Sequence, residues 1–196
     1  MDTYFDLGGY SFPVTTQSTE AQTWFDRGIL WTYGYNHEEA VTCFEHAIDA
    51  DPECAMAHWG AGYASGPNYN MPWDLFDYAG RVAAAQAGYA HARKALDLID
   101  GVTGWEAALI HALPARHPQP DPLDPKAMKA WNADFADAMR DVFAAHPESH
   151  EVRTVFAESL LNLTPWKMWD LASGQPAAGA RTVEVQTVLE EALEGD

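Results

Sequence analysis

Chemistry in this sequence would have to come from a few polar residues that packing alone does not call for: His37, Glu38, His58, Asn68, Asn70 and Glu158. His37 follows Gly34-Tyr35-Asn36, a helix break and a capping residue, so it stands at the first turn of a helix. A positive imidazolium is disfavoured there, and a neutral ring is expected. Neutral imidazole can accept a proton or ligate a metal. It can equally hydrogen-bond the backbone at a tight turn. Glu38 suits the helix dipole without further purpose. His58, beside Trp59, reads as a packed core histidine or as a ligand. Asn68 and Asn70 bracket Tyr69 between two prolines, as loop-shaping residues or as the polar lining of a groove. Glu158 lies mid-helix among Val155, Phe156, Leu160 and Leu161, and if buried it needs a partner such as His37 or an arginine.

The remaining histidines form no recognised ligand spacing. His146 and His150 are separated by Pro147, and there is no HExxH. His91, His111 and His117 are scattered, and surface roles are expected for them. No GxSxG, P-loop or dinucleotide fingerprint occurs, so no catalytic residue is assigned.

Composition narrows the partners. The 196 residues carry 11 Lys+Arg against 29 Asp+Glu, a formal net charge of −18. Such a surface repels phosphate backbones and anionic headgroups, which argues against nucleic acid and membranes as partners. No apolar stretch reaches the length of about 18 residues that a membrane span needs. The first residues lack the basic and apolar regions of a signal peptide. Cys43 and Cys54 form no CxxC and read as small apolar packing. A reducing cytoplasm is the expected setting.

The elements that must position these residues are helices. Residues 1–18 read as an extended arm anchored by Tyr4, Phe5, Tyr10 and Phe12. Apolar spacing of three and four predicts helices over about 19–33, 37–50, 54–65, 74–98, 103–115, 125–145, 148–162 and 180–194. Pro118, Pro120, Pro122 and Pro125 make 117–125 a stiff linker. The stretch 165–179 is irregular, with Trp166 and Trp169 expected as plugs. No strand is convincing. The expected class is all-α, about eight helices in a single domain over 19–196.

One window carries a repeat. Trp24, Gly28, Trp31, Ala40, Phe44, Ala47 and Pro52 stand at the spacings of a 34-residue helix–turn–helix unit, with Arg27 where a leucine belongs. The register resembles the tetratricopeptide repeat. A second unit is looser: Gly62 falls 34 residues after Gly28, then Ala85, Tyr89 and Ala92 follow an insertion. Leu189 and Ala192 match Phe44 and Ala47, and Asp196 matches Asp51.

The run from Tyr33-Gly34-Tyr35-Asn36-His37-Glu38-Glu39-Ala40, through Asp51-Pro52-Glu53-Cys54-Ala55-Met56-Ala57-His58-Trp59-Gly60, to Gly66-Pro67-Asn68-Tyr69-Asn70 resembles a family of bacterial tetratricopeptide-repeat proteins. Phe156-Ala157-Glu158-Ser159-Leu160 and Pro165-Trp166-Lys167-Met168-Trp169 extend the likeness, which spans most of residues 8–194. It corresponds to the N-terminal half of longer relatives, whose later helices carry closely spaced histidines. The resemblance implies a stack of antiparallel helix pairs and does not by itself imply a reaction.

Two functions are expected on these grounds. The first is a scaffold that binds a protein or peptide, basic or neutral, in a groove bearing Trp31, Tyr35, His37, Asn68, Asn70 and Glu158. Because the sequence ends in register with a repeat, its last helix is expected to pair with another chain or in a homodimer. The second is a metal-dependent enzyme, or half of one, in a bacterial biosynthetic pathway. Its ligands to Fe, Cu, Mn or Zn would be His37, His58 and Glu158.

Overall fold

The computed structural model describes residues 4–194. They form eight α-helices: α1 (Thr19–Tyr33), α2 (His37–Ala50), α3 (Ala55–Ser65), α4 (Tyr78–Asp97), α5 (Gly104–Arg116), α6 (Pro125–Ala145), α7 (His150–Leu161) and α8 (Thr182–Glu194). The class is all-α, as expected. Side-chain caps explain several starts. Ser18, Asn36, Asp77, Asp124 and Ser149 each accept a backbone N–H from the first turn that follows. Each such cap stabilises its helix by about 1 kcal/mol. The helix expected over 74–98 is divided: a 3-10 turn spans Trp73–Leu75, and Asp77 then starts α4 afresh. A minimal hairpin, β1 (Trp169–Asp170) with β2 (Gln175–Pro176), interrupts the irregular stretch.

Helices adjacent in sequence pack together, and α3 also touches α1 and α5. Its position follows from its composition. Every residue from Ala55 to Ala64 is buried, and six of these ten are alanine or glycine, which lets neighbours come close. The Phe44 ring of α2 occupies the space above two glycines. A Cβ on Gly28 of α1 would lie 2.6 Å from it, and a Cβ on Gly60 of α3 would lie 2.4 Å from it. Two marks of the repeat window, Gly28 and Phe44, therefore meet at one seam with Gly60 of α3. A second core cluster joins Trp73, Ala84, Ala85, Met128 and Trp131.

The arm is pinned by polar ties as well as rings. Phe12 is fully buried and stacks on Phe25. The buried Glu106 carboxylate accepts the Thr15 N–H. The Tyr4 hydroxyl donates to Glu39 and accepts from the Trp31 indole. Phe5 and Tyr10 stay largely exposed, yet each sets its ring edge-on against α1, on Trp31 and Tyr33. Cys43 and Cys54 are buried free thiols.

Three further expectations need correction. Trp166 and Trp169 are 56% and 46% exposed and plug nothing. Their segment turns outward into the hairpin, and Leu163 and Met168 pack against the core instead. His117 is fully buried rather than superficial, so the proline-rich stretch 117–125 begins as an anchored loop. Leu189, aligned with the buried Phe44, is exposed. Asp196, the other end of that match, lies outside the described residues.

Candidate functional site

The site is built on the turn between α1 and α2. Gly34 closes α1, and Tyr35 adopts a left-handed backbone (φ 59°). That conformation costs a non-glycine residue about 1–3 kcal/mol. Asn36 caps α2 and leaves His37 as its first residue. Its Nδ1 lies 2.9 Å from the Ala64 carbonyl oxygen of α3. A carbonyl only accepts, so Nδ1 carries the proton and Nε2 the lone pair. Burial pushes the ring's pKa down to about 4, with the Arg116 guanidinium adding to the effect. His37 is therefore neutral, as expected, but burial is the leading cause rather than the helix terminus.

Tyr35 and His37 form a wall common to two clefts. On one side lies a narrow cleft of about 170 Å³, lined by Tyr63, Glu158, Leu161 and Leu189 among others. On the other is a more open cleft of about 650 Å³, reached by Glu38, Asn68, Met71 and Phe76. Glu158 is half-buried and held at both oxygens. The Tyr63 hydroxyl donates to Oε2 at 2.6 Å, and Asn162 Nδ2 donates to Oε1 at 2.6 Å. Its expected partner was His37 or an arginine. The structure supplies a tyrosine and an asparagine, and sets His37 across the cleft.

Behind Tyr63 lies Arg116, almost wholly buried at the end of α5. Its guanidinium stands 4.6 Å from the Tyr63 ring centroid and 5.0 Å from that of Phe135, and it donates to the Pro67 carbonyl. Among the described residues, Nε and Nη1 have no hydrogen-bond partner. A Cβ on Gly66 would meet Nε at 2.6 Å, so the loop after α3 closes directly over this cation. Burial and the nearby Glu158 charge hold the Tyr63 hydroxyl protonated, well above its usual range. Neutral imidazole, phenol and carboxylate thus line one cleft, with a cation beneath.

The other expected residues fall elsewhere. Asn68 Oδ1 accepts the N–H groups of Asn70 and Met71, so it shapes its loop while also lining the wider cleft. Asn70 is exposed and lines neither cleft. Trp31 belongs to the arm contact through Tyr4 and Phe5. His58 faces α4, where its Nδ1 sits 3.2 Å from Nδ1 of His91. Burial, reinforced by His91, pushes the His58 pKa down to about 4. His37, His58 and Glu158 therefore do not form one ligand set. Among the described residues no three His, Cys, Asp or Glu side chains group closely enough to hold a metal ion.

Tyr63 and Arg116 were not legible as site residues, whereas Asn162, four residues after Glu158 at the end of α7, could have been found from that spacing. Tyr63 reads as one more aromatic in a small-residue helix, and Arg116 as a cation suited to a helix C-terminus. Only the packing of α3, α5 and α7 brings them to Glu158. Compared with protein-family models, curated proteins and solved structures, the chain matches none.

Proposed function

We propose that this protein is a helical-repeat scaffold of the tetratricopeptide type that binds an extended segment of another polypeptide, with a basic side chain seated at Glu158. The observation that carries this is the divided groove at His37. The narrow cleft suits one long side chain, and the wider one suits the flanking backbone. Glu158 and the Nε2 lone pair of His37 are both acceptors, so they fit a donor-rich ammonium or guanidinium group. The net charge of −18 favours the same partner at longer range. Packing of each helix on its sequence neighbours, with α1 also against α3, supports the repeat reading.

A positional-scanning peptide library, read by fluorescence polarisation, tests the proposal. Lysine or arginine is expected to be enriched at one position. Glu158→Gln is expected to remove that preference and weaken binding about tenfold, the size of a lost charge-assisted hydrogen bond. Equal selection of acidic and basic peptides would overturn the reading. So would unchanged binding by Glu158→Gln.

The same proposal extends to self-association through α8. Val183, Leu189 and Leu193 are exposed on that helix, and Leu171 is exposed on the hairpin before it. Light scattering that gives a dimer mass, lowered by Leu193→Glu, is the expected result. A concentration-independent monomer contradicts it.

A further inference from the structure

At the end of α3 away from the His37 corner, α3 and α4 bring two imidazoles together through their ring nitrogens. Nδ1 of His58 lies 3.2 Å from Nδ1 of His91. We propose that this pair binds a divalent late transition-metal ion such as Zn²⁺, which staples α4 to α3 at the edge of their seam. Nothing in this proposal depends on the peptide-binding reading.

The separation is the bite that a metal needs. Two nitrogens bound to a tetrahedral zinc ion at about 2.0–2.1 Å stand about 3.3 Å from each other. The backbones hold the rings at that spacing. Gly62 lies one turn after His58 on α3. A Cβ there would meet the His91 Cβ at 3.2 Å and the Ala92 nitrogen at 3.4 Å. Its missing side chain therefore lets α4 close on α3 at the level of His91. A ligand pair set in advance spares the ion the cost of ordering it.

The tautomers also suit a metal. His58 bonds the Pro52 carbonyl as well as His91. A carbonyl only accepts, so with Nδ1 turned to His91 the His58 proton sits on Nε2. Its Nδ1 is then a lone pair aimed by a backbone acceptor behind the ring, the arrangement that usually orients a metal-bound histidine. In the free protein the His91 Nδ1–H donates to that lone pair. Metal binding requires that this proton leave Nδ1 while Nε2 of the same ring takes one up, so both rings stay neutral. Burial already favours the neutral form of each. His58 is 8% exposed and His91 half-buried, which puts the pair at an edge and not in the core. Two charged side chains flank it. Glu45 of α2 is exposed and its charge acts on His91, so it is positioned to turn in as a third ligand, with water completing the shell. Lys94 acts on His58 and opposes a bound cation.

Isothermal titration of tag-free, chelator-stripped protein with Zn²⁺ tests the site. One saturable equivalent is expected, undiminished by excess Mg²⁺, because imidazole nitrogens select late transition metals over that hard ion. The melting temperature is expected to rise with Zn²⁺, since the ion binds the folded form. His91→Ala, on the half-exposed side of the pair, is expected to weaken binding at least about tenfold while keeping the helical circular dichroism spectrum. His58→Ala serves as the second ligand variant should the first disturb the fold. Lys94→Gln, which removes a repelling charge and no ligand, is expected to tighten binding about two- to threefold. No saturable binding at high micromolar Zn²⁺ would overturn the proposal. Displacement of the bound equivalent by Mg²⁺, unchanged binding by a folded ligand variant, or weaker binding by Lys94→Gln would do the same, by placing the ion on surface carboxylates.

Discussion

His37 shows how one hydrogen bond decides what a residue can do. Its proton is committed to Ala64, so its second nitrogen is an acceptor whatever approaches it. The same burial has a consequence for stability. His37 and His58 have folded pKa values of about 4 and His117 about 3, all below the usual 6.5. Between pH 6.5 and 4 the unfolded chain takes up protons that the folded chain refuses, so stability falls as pH falls through that window. Urea unfolding at pH 7.5, 6 and 5 is expected to show this loss. His37→Asn, which can keep a donor toward Ala64, is expected to make the dependence shallower. An unchanged slope would show that His37 titrates normally in the fold. Tyr63 makes a second case. Tyr63→Phe removes the donor to Glu158 Oε2 from a buried site, and a loss of about 1–3 kcal/mol is expected in the same measurement.

At the scale of elements, the seam around Phe44 decides the sign of a substitution. Replacing a mid-helix glycine by alanine ordinarily stabilises a helix by about 1 kcal/mol. At Gly60 the new methyl would meet the Phe44 ring at 2.4 Å. Gly60→Ala is therefore expected to destabilise by about 1–3 kcal/mol, and Phe44→Leu in that background to recover part of it. Additive effects of the two changes would refute the contact. The helices themselves were legible because their apolar spacing and caps are local signals, as in α2 between Asn36 and Asp51. Trp166 was misjudged for the opposite reason. Its size suggests burial, but the hairpin after it turns the ring outward, and no local pattern announces that. Of the site, His37, Tyr35 and Glu158 could be singled out as polar or aromatic residues outside the packing pattern. The buried Arg116 could not, because its meaning lies in contacts between α3, α5 and α6.

At the scale of the whole molecule, the charge of −18 should act as a field. Association with a basic peptide is expected to slow steeply as salt rises from 10 to 150 mM, since the screening length shortens from about 30 to about 8 Å. Stopped-flow rates that ignore salt would place recognition in short-range contacts alone. The Phe44 ring has a wider meaning at this scale. One ring stands where two methyl groups would otherwise be, so α1, α2 and α3 share a single spacer. His37 rides on α2 and its proton acceptor on α3, so the registration between them is mechanical as well as chemical. Under the proposed function, the groove is expected to act as a fixed gauge, set in width before a ligand arrives.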